Sequence, residues 1–270
     1  MADANAADHI TKKPVVLTLP AMPDVVVRRD VAYQLGTDAP STMDLYYPPL
    51  ATTGARLPAV VFVSGGTDAG MKKALGCTFR TMASTTSWAR LAAVSGIVGI
   101  AYSNREAADV HVVIRHARHH AEQLGLDSSR IGVWASSGNV PMALSVLMKD
   151  RELACAVLMY GYMLDWPGST LVADTLKNWG FANPAAGTSI DKLPAAVPLF
   201  IARAGLDHFP HLNAALDKFV ADALARNMPL TVVNHATGRH AFDILEDTDA
   251  ARAVVAQALR FLQRTLIPNP

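Results

Sequence analysis

The sequence predicts an α/β protein: a mostly parallel central sheet of about eight strands, with helices on both faces. Two observations carry this. Apolar runs without polar alternation recur along the chain, as in strands buried on both faces, and helix-like segments separate them. With 51% of the 270 residues apolar, a sizeable core can be buried.

The elements follow in order. Between Val15 and Pro48, "VVLTL", "DVVVRRDVAYQL" and "MDLYYP" are short, β-rich and turn-broken, which predicts antiparallel strands or a meander at one sheet edge. From Pro58 the runs become "PAVVFVS", "GIVGIAYS", "RIGVWAS", "ACAVLMYGY", "PLFIARA" and "LTVVNHA", each read as a buried strand. Helices are predicted around 88–94, 105–124, 140–149, 212–225 and 250–266, and Gly125 sits where a helix stop belongs. The longest connection between strands, 164–196, is too short for a full cap domain and is expected to form a small helical cover over a site. No linker divides the chain, so residues 1–270 are read as one domain.

Lys plus Arg number 24 against 23 Asp plus Glu, and the positive residues are scattered. That excludes the electrostatic footprint of nucleic-acid or acidic-membrane binding and leaves a small-molecule partner. "MADANAADHITKKPVV" places acidic residues where a secretory leader has basic ones, and no apolar run reaches the length of a membrane span. Cys77 and Cys155 make neither a disulfide framework nor a paired-cysteine metal motif. A cytoplasmic protein is expected; its oligomeric state is open, a homodimer included.

Chemistry enters at "RIGVWASSGNVPMA", Arg130 to Ala143. A nucleophile elbow is a strained strand-to-helix turn that crowds the residues two before and two after the nucleophile. With Ser136 as nucleophile those neighbours are Trp134 and Gly138, and an indole does not fit. With Ser137 they are Ala135 and Asn139, both tolerable, although Asn139 is larger than the usual glycine. Pro141 suits a first helical turn, which puts Ser137 at a helix N-terminus where backbone N–H groups favour negative charge.

A serine hydroxyl needs a base, and the base a carboxylate to orient it. "PLFIARAGLDH" ends its strand and reaches Asp207; "LTVVNHATGRHAFD" ends the next and reaches His240. Loops at the carboxyl ends of parallel strands share one rim, so Ser137, Asp207 and His240 can converge. Asp165 is the rival acid, and Asp243 lies close to His240 in sequence. His111, His116, His119 and His120 lack a carboxylate ligand motif and read as a solvated helix face; no metal is expected. Gly65, Gly66 and Gly70 lack dinucleotide-loop spacing, so no organic cofactor is expected either. His208 and His211 flank the acid loop, and Arg239 reads as a surface residue. Aromatic residues cluster in and around the 164–196 connection, and an apolar acyl or alcohol pocket is expected there, with Trp166, Tyr162 and Phe242 named for substrate binding.

"MDLYYP", "VVFVSGG", "LDSSRIGVWASSG", "AGLDH" and "GRHAFD", in that order, make the chain resemble the α/β-hydrolase superfamily, especially small serine esterases and dienelactone-hydrolase-like members. The resemblance implies Ser137 as nucleophile, Asp207 as acid and His240 as base. It implies an oxyanion hole from the N–H of Gly138 and a second donor, Gly66 first and Thr67 next. Where many such esterases carry His-Gly-Gly-Gly, this chain has Ser64-Gly65-Gly66-Thr67. Neither cysteine stands at the elbow. The implied activity is hydrolysis of a small-molecule carboxylic ester through an acyl-enzyme; thioester, amide (arylformamidase-type) and lactone hydrolysis share the elbow, and a non-catalytic ligand receptor shares the fold.

Overall fold

The computed structural model describes residues 9–35, 39–50 and 54–267; most of the acidic start of the chain, on which the reading of no leader rests, lies outside them. Eight strands form one sheet: β1 (Val26–Gln34), β2 (Ser41–Tyr47), β3 (Leu57–Phe62), β4 (Val98–Tyr102), β5 (Leu126–Ser136), β6 (Ala156–Met159), β7 (Leu199–Ala204) and β8 (Leu230–His235). Their order across the sheet is β1-β2-β4-β3-β5-β6-β7-β8. β2 is antiparallel to both of its neighbours, and every pair from β4 to β8 is parallel. A parallel sheet needs crossovers, and the intervening helices supply them.

Those helices are α1 (Asp68–Leu75), α2 (Ala83–Val94), α3 (Asp109–His119), α4 (Ala121–Leu124), α5 (Val140–Lys149), α6 (Leu171–Trp179), α7 (Leu212–Ala225), α8 (Phe242–Leu245) and α9 (Asp249–Leu266). Alternate residues of the central strands feed opposite sides. Val61, Val63, Val133 and Ile201 pack with Val113 of α3, Leu144 of α5 and Leu216 of α7. Val60, Phe62, Trp134 and Phe200 pack with Trp88 of α2 and Val255 and Leu262 of α9. Both faces are therefore covered, which is why the strand sequences show no polar alternation; each buried Val, Leu or Phe contributes about 1.5–3 kcal/mol.

Two expectations are corrected, and one helix was not foreseen. Residues 15–19 form no strand: Val15 buries its side chain in the α2/α9 face, and Val16 donates its N–H to the Asp243 carbonyl at 2.8 Å rather than to a sheet ladder. The helix read over 105–124 breaks at His120 (φ −104°, ψ 20°), giving α3 and α4, and α4 stops at Gly125 in the left-handed region. Helix α1, short and lysine-bearing, had no apolar periodicity to announce it; Thr67 caps it, accepting from the Gly70 N–H at 3.1 Å. The 164–196 connection holds α6 and a single 3-10 turn, Ile190–Lys192. Among the described residues no helix is long and apolar enough to cross a membrane.

Candidate active site

Strand β5 runs extended to Ser136 (φ −131°, ψ 153°), and the chain then reverses sharply. Ser137 takes φ +54°, a left-handed conformation that costs a residue with a side chain about 1–3 kcal/mol unless its surroundings enforce it. The next residues form a 3-10 turn, Ser137–Asn139, and α5 follows with Pro141 in its first turn. Enforcement comes from the loop after β6. A Cβ on Gly161 would lie 2.2 Å from Val140 Cγ2 and 2.7 Å from the Ser137 carbonyl oxygen, so only glycine lets that loop close on the turn. Trp134 is seated in the core between Phe62 and Trp88, with ring centroids at 5.4 and 5.1 Å. Of the two serines, the one in the strained turn is Ser137.

The three sequence-predicted residues meet at the carboxyl end of the sheet, on the loops after β5, β7 and β8. Ser137 Oγ lies 2.7 Å from His240 Nε2, and His240 Nδ1 lies 2.6 Å from Asp207 Oδ2. An ionised carboxylate only accepts, so its partner Nδ1 carries the ring hydrogen and Nε2 is left to accept from the serine hydroxyl. The Asp207 side chain is fully buried and that of His240 is 10% exposed. The Phe209 N–H donates to the other Asp207 oxygen at 3.0 Å. Phe209 and Tyr160 meet the His240 ring edge-on, at 4.5 and 5.0 Å between centroids, and keep it in an apolar wall.

Both rival acids are occupied elsewhere. Asp165 accepts from the N–H groups of Val172 and Ala173 (2.7 and 3.1 Å), satisfying the first turn of α6. Asp243 is entirely buried; it accepts from the Tyr160 hydroxyl at 2.5 Å and from Trp88 Nε1 at 2.8 Å. Desolvation pushes its carboxyl up, opposed by those two hydrogen bonds. Through Tyr160 it braces one side of the His240 ring.

The loop after β3 lies beside the turn. The Gly65 N–H donates to Asn139 Oδ1 at 2.7 Å, and the Gly65 carbonyl accepts from the Ala182 N–H at 2.8 Å. The Gly66 carbonyl accepts from Ser64 Oγ (2.8 Å) and Asn104 Nδ2 (2.9 Å). Among the described residues no acceptor is found for the backbone N–H of Gly66, Thr67 or Gly138. Three free donors next to a nucleophile-base pair are what a developing oxyanion requires. Asn104 and Asn139 escaped the sequence reading as loop-holding residues; the one available signal was Asn139 standing where a glycine is usual.

The 164–196 connection closes over this loop. A Cβ on Gly138 or Gly65 would meet the Phe181 ring at 3.2 Å, so Phe181 packs directly on both. Trp179 packs at a steep tilt against Phe209, 5.0 Å between centroids, and edge-on against Tyr162 at 5.8 Å. Tyr162 is buried and donates its hydroxyl to the Pro210 carbonyl at 2.7 Å, and Trp166 is half-buried against the same cluster. Phe242 departs from the expectation of a substrate contact: it is fully buried in the α2/α9 face, against Tyr160 and His235, because α8 turns it inward directly after His240. His208 stacks on Phe209 and stands 6.1 Å from His240, while His211 precedes α7 and Arg239 is exposed. The rings of His116 and His120 stack on each other at 4.3 Å. Burial pushes the Cys155 thiol up to about 12, so it is no thiolate at neutral pH.

No protein-family model matches the chain, and no curated protein matches it by sequence. Solved structures do match it in shape. A thermostable esterase from Pseudomonas putida superposes with TM-score 0.68 at 16% identity over 91% of this chain and 84% of the other. A bacterial heroin esterase gives 0.68 at 17%, over 94% and 88%. Esterase 2 of Thermogutta terrifontis, phosphoramylated by tabun, gives 0.66 at 19%, over 93% and 98%. The chain has the α/β-hydrolase fold.

Proposed function

We propose that the chain is a serine hydrolase that cleaves carboxylic esters of small molecules through an acyl-enzyme. The observation that carries this reading is the hydrogen-bonded line Ser137 Oγ–His240 Nε2, His240 Nδ1–Asp207 Oδ2, with Ser137 held at positive φ beside N–H groups that have no acceptor among the described residues. Ser137 attacks the ester carbonyl as His240 takes its proton, and Asp207 holds the imidazole and stabilises its charged form. Gly138 and Gly66, with Thr67 as the second choice, donate to the oxyanion, each worth about 3 kcal/mol of barrier. His240 then protonates the leaving alcohol, and a water repeats the sequence to release the acid. Residues 1–270 act as one unit under the 164–196 cover, and two free thiols suit a cytoplasmic setting.

A fluorophosphonate probe tests the class of reaction, because it reacts with an activated serine and not with a ligand receptor's ordinary one. Stoichiometric labelling at Ser137, with short-chain p-nitrophenyl esters turned over faster than matched thioesters, anilides or lactones, is expected. An unlabelled, inactive protein overturns the reading.

Phe181 supplies a statement about size. Its ring lies on Gly65 and Gly138, beside the proposed oxyanion donors, and limits the room for the acyl chain there. Phe181→Ala is expected to move the preference from acetyl and propionyl toward hexanoyl and longer p-nitrophenyl esters. The relative kcat/KM for the longer esters should rise about tenfold, the worth of one or two well-packed methylenes. An unchanged chain-length profile places the acyl group elsewhere.

A further inference from the structure

Asn139 stands two residues after Ser137, where the elbow ordinarily carries glycine. The structure gives the larger side chain an occupation. Its Oδ1 accepts the Gly65 N–H at 2.7 Å, in a bond buried from solvent, and Asn139 itself is 6% exposed. Since the partner is an N–H, the oxygen and not the amide nitrogen must face the loop. The bond joins the nucleophile turn to the loop after β3 across a sequence separation of 74 residues.

Its consequence is directional. With the Gly65 N–H drawn onto Asn139 and the Gly66 carbonyl held by Ser64 Oγ and Asn104 Nδ2, the peptides on either side of the one joining Gly65 to Gly66 are fixed, and that peptide's own carbonyl accepts from the Ala182 N–H at 2.8 Å. Its own N–H, that of Gly66, is left without an acceptor among the described residues. We propose that Asn139 is a positioning residue: it holds the loop after β3 so that the Gly66 N–H and the Gly138 N–H aim together at the transition-state oxygen. Asn139 thereby does the work that the His-Gly-Gly-Gly sequence is not present to do, and Gly66 rather than Thr67 is the second donor. This rests on the ester-hydrolase reading above.

Because the donors matter only once charge develops on the oxygen, loss of their alignment falls on the chemical step and spares ground-state binding. Asn139→Ala and Asn139→Gly both remove the acceptor, the second restoring the residue usual at this position. Each is expected to lower kcat for p-nitrophenyl acetate about 30-fold with KM changed less than threefold. Inhibition by a trifluoromethyl ketone, which forms the tetrahedral adduct, should weaken in the same proportion, while binding of the product carboxylate stays within threefold. Melting curves of both variants accompany the kinetics, and glycine, which leaves no methyl to crowd the turn, keeps the test open if the alanine variant does not fold. Wild-type kcat in either folded variant, or equal weakening of ketone and product binding, overturns the role of Asn139. An inactive wild-type protein overturns instead the hydrolase reading on which it rests.

Discussion

Ser137→Ala is expected to reduce ester turnover by roughly 10⁶-fold and abolish fluorophosphonate labelling, as loss of the nucleophile does in hydrolases of this mechanism. The folded protein should remain, with a melting temperature at or slightly above wild type. Alanine keeps the turn's backbone requirement but removes a hydroxyl whose partner is His240. The neighbouring serine makes the control. Ser136 ends β5 in ordinary extended geometry, so Ser136→Ala is expected to retain kcat/KM within about threefold, the scale of a substitution that leaves the reacting groups in place. Steady-state hydrolysis of p-nitrophenyl acetate by the two variants decides between them. Equal losses from both, or a larger loss at Ser136, reverse the choice of serine.

How far the sequence foretold this arrangement differs by kind of information. The parallel sheet was legible because Val60, Val61, Phe62 and their counterparts in β5 to β7 are buried on both faces, and a strand of that kind cannot alternate with polar residues. The convergence of Ser137, Asp207 and His240 on one rim was legible because each lies at or just beyond the end of an apolar run, and the ends of parallel runs share a rim. Residues 15–19 misled for a complementary reason: apolar β-formers announce burial, but whether a backbone ladder forms depends on a free strand edge, and here Val16 found the Asp243 carbonyl instead. Phe242 misled because one residue of helical rotation after His240 decides between rim and core, and a four-residue helix has too little periodicity to fix that phase. The Gly65–Asn139 bond was beyond reach for want of any local pattern, its partners being brought together by the assembled sheet alone.

Asp207→Asn is the second large effect expected, and it separates an orienting acid from a merely buried one. An asparagine that keeps Asp207's place presents either an N–H, which forces Nδ1 to accept and leaves Nε2 protonated, or an oxygen whose attached amide nitrogen must displace the Phe209 N–H now bonded to Oδ1. In the first arrangement His240 has no lone pair for the Ser137 hydroxyl, and turnover falls by about 10⁴. Asp243→Asn provides the contrast. Its carboxylate receives two donors, Tyr160 and Trp88, neither of which reacts; an asparagine accepts from Trp88 with its oxygen and donates to the Tyr160 oxygen with its amide, which leaves the tyrosine's own hydrogen without this acceptor. That substitution should cost stability, on the order of 1–3 kcal/mol for the buried donor left unpaired, and kcat less than tenfold. Thermal melts and kcat/KM measured together resolve the two carboxylates: an activity loss at Asp243→Asn as deep as that at Asp207→Asn, without a matching fall in melting temperature, transfers the acid's role from the β7 loop to the residue behind Tyr160.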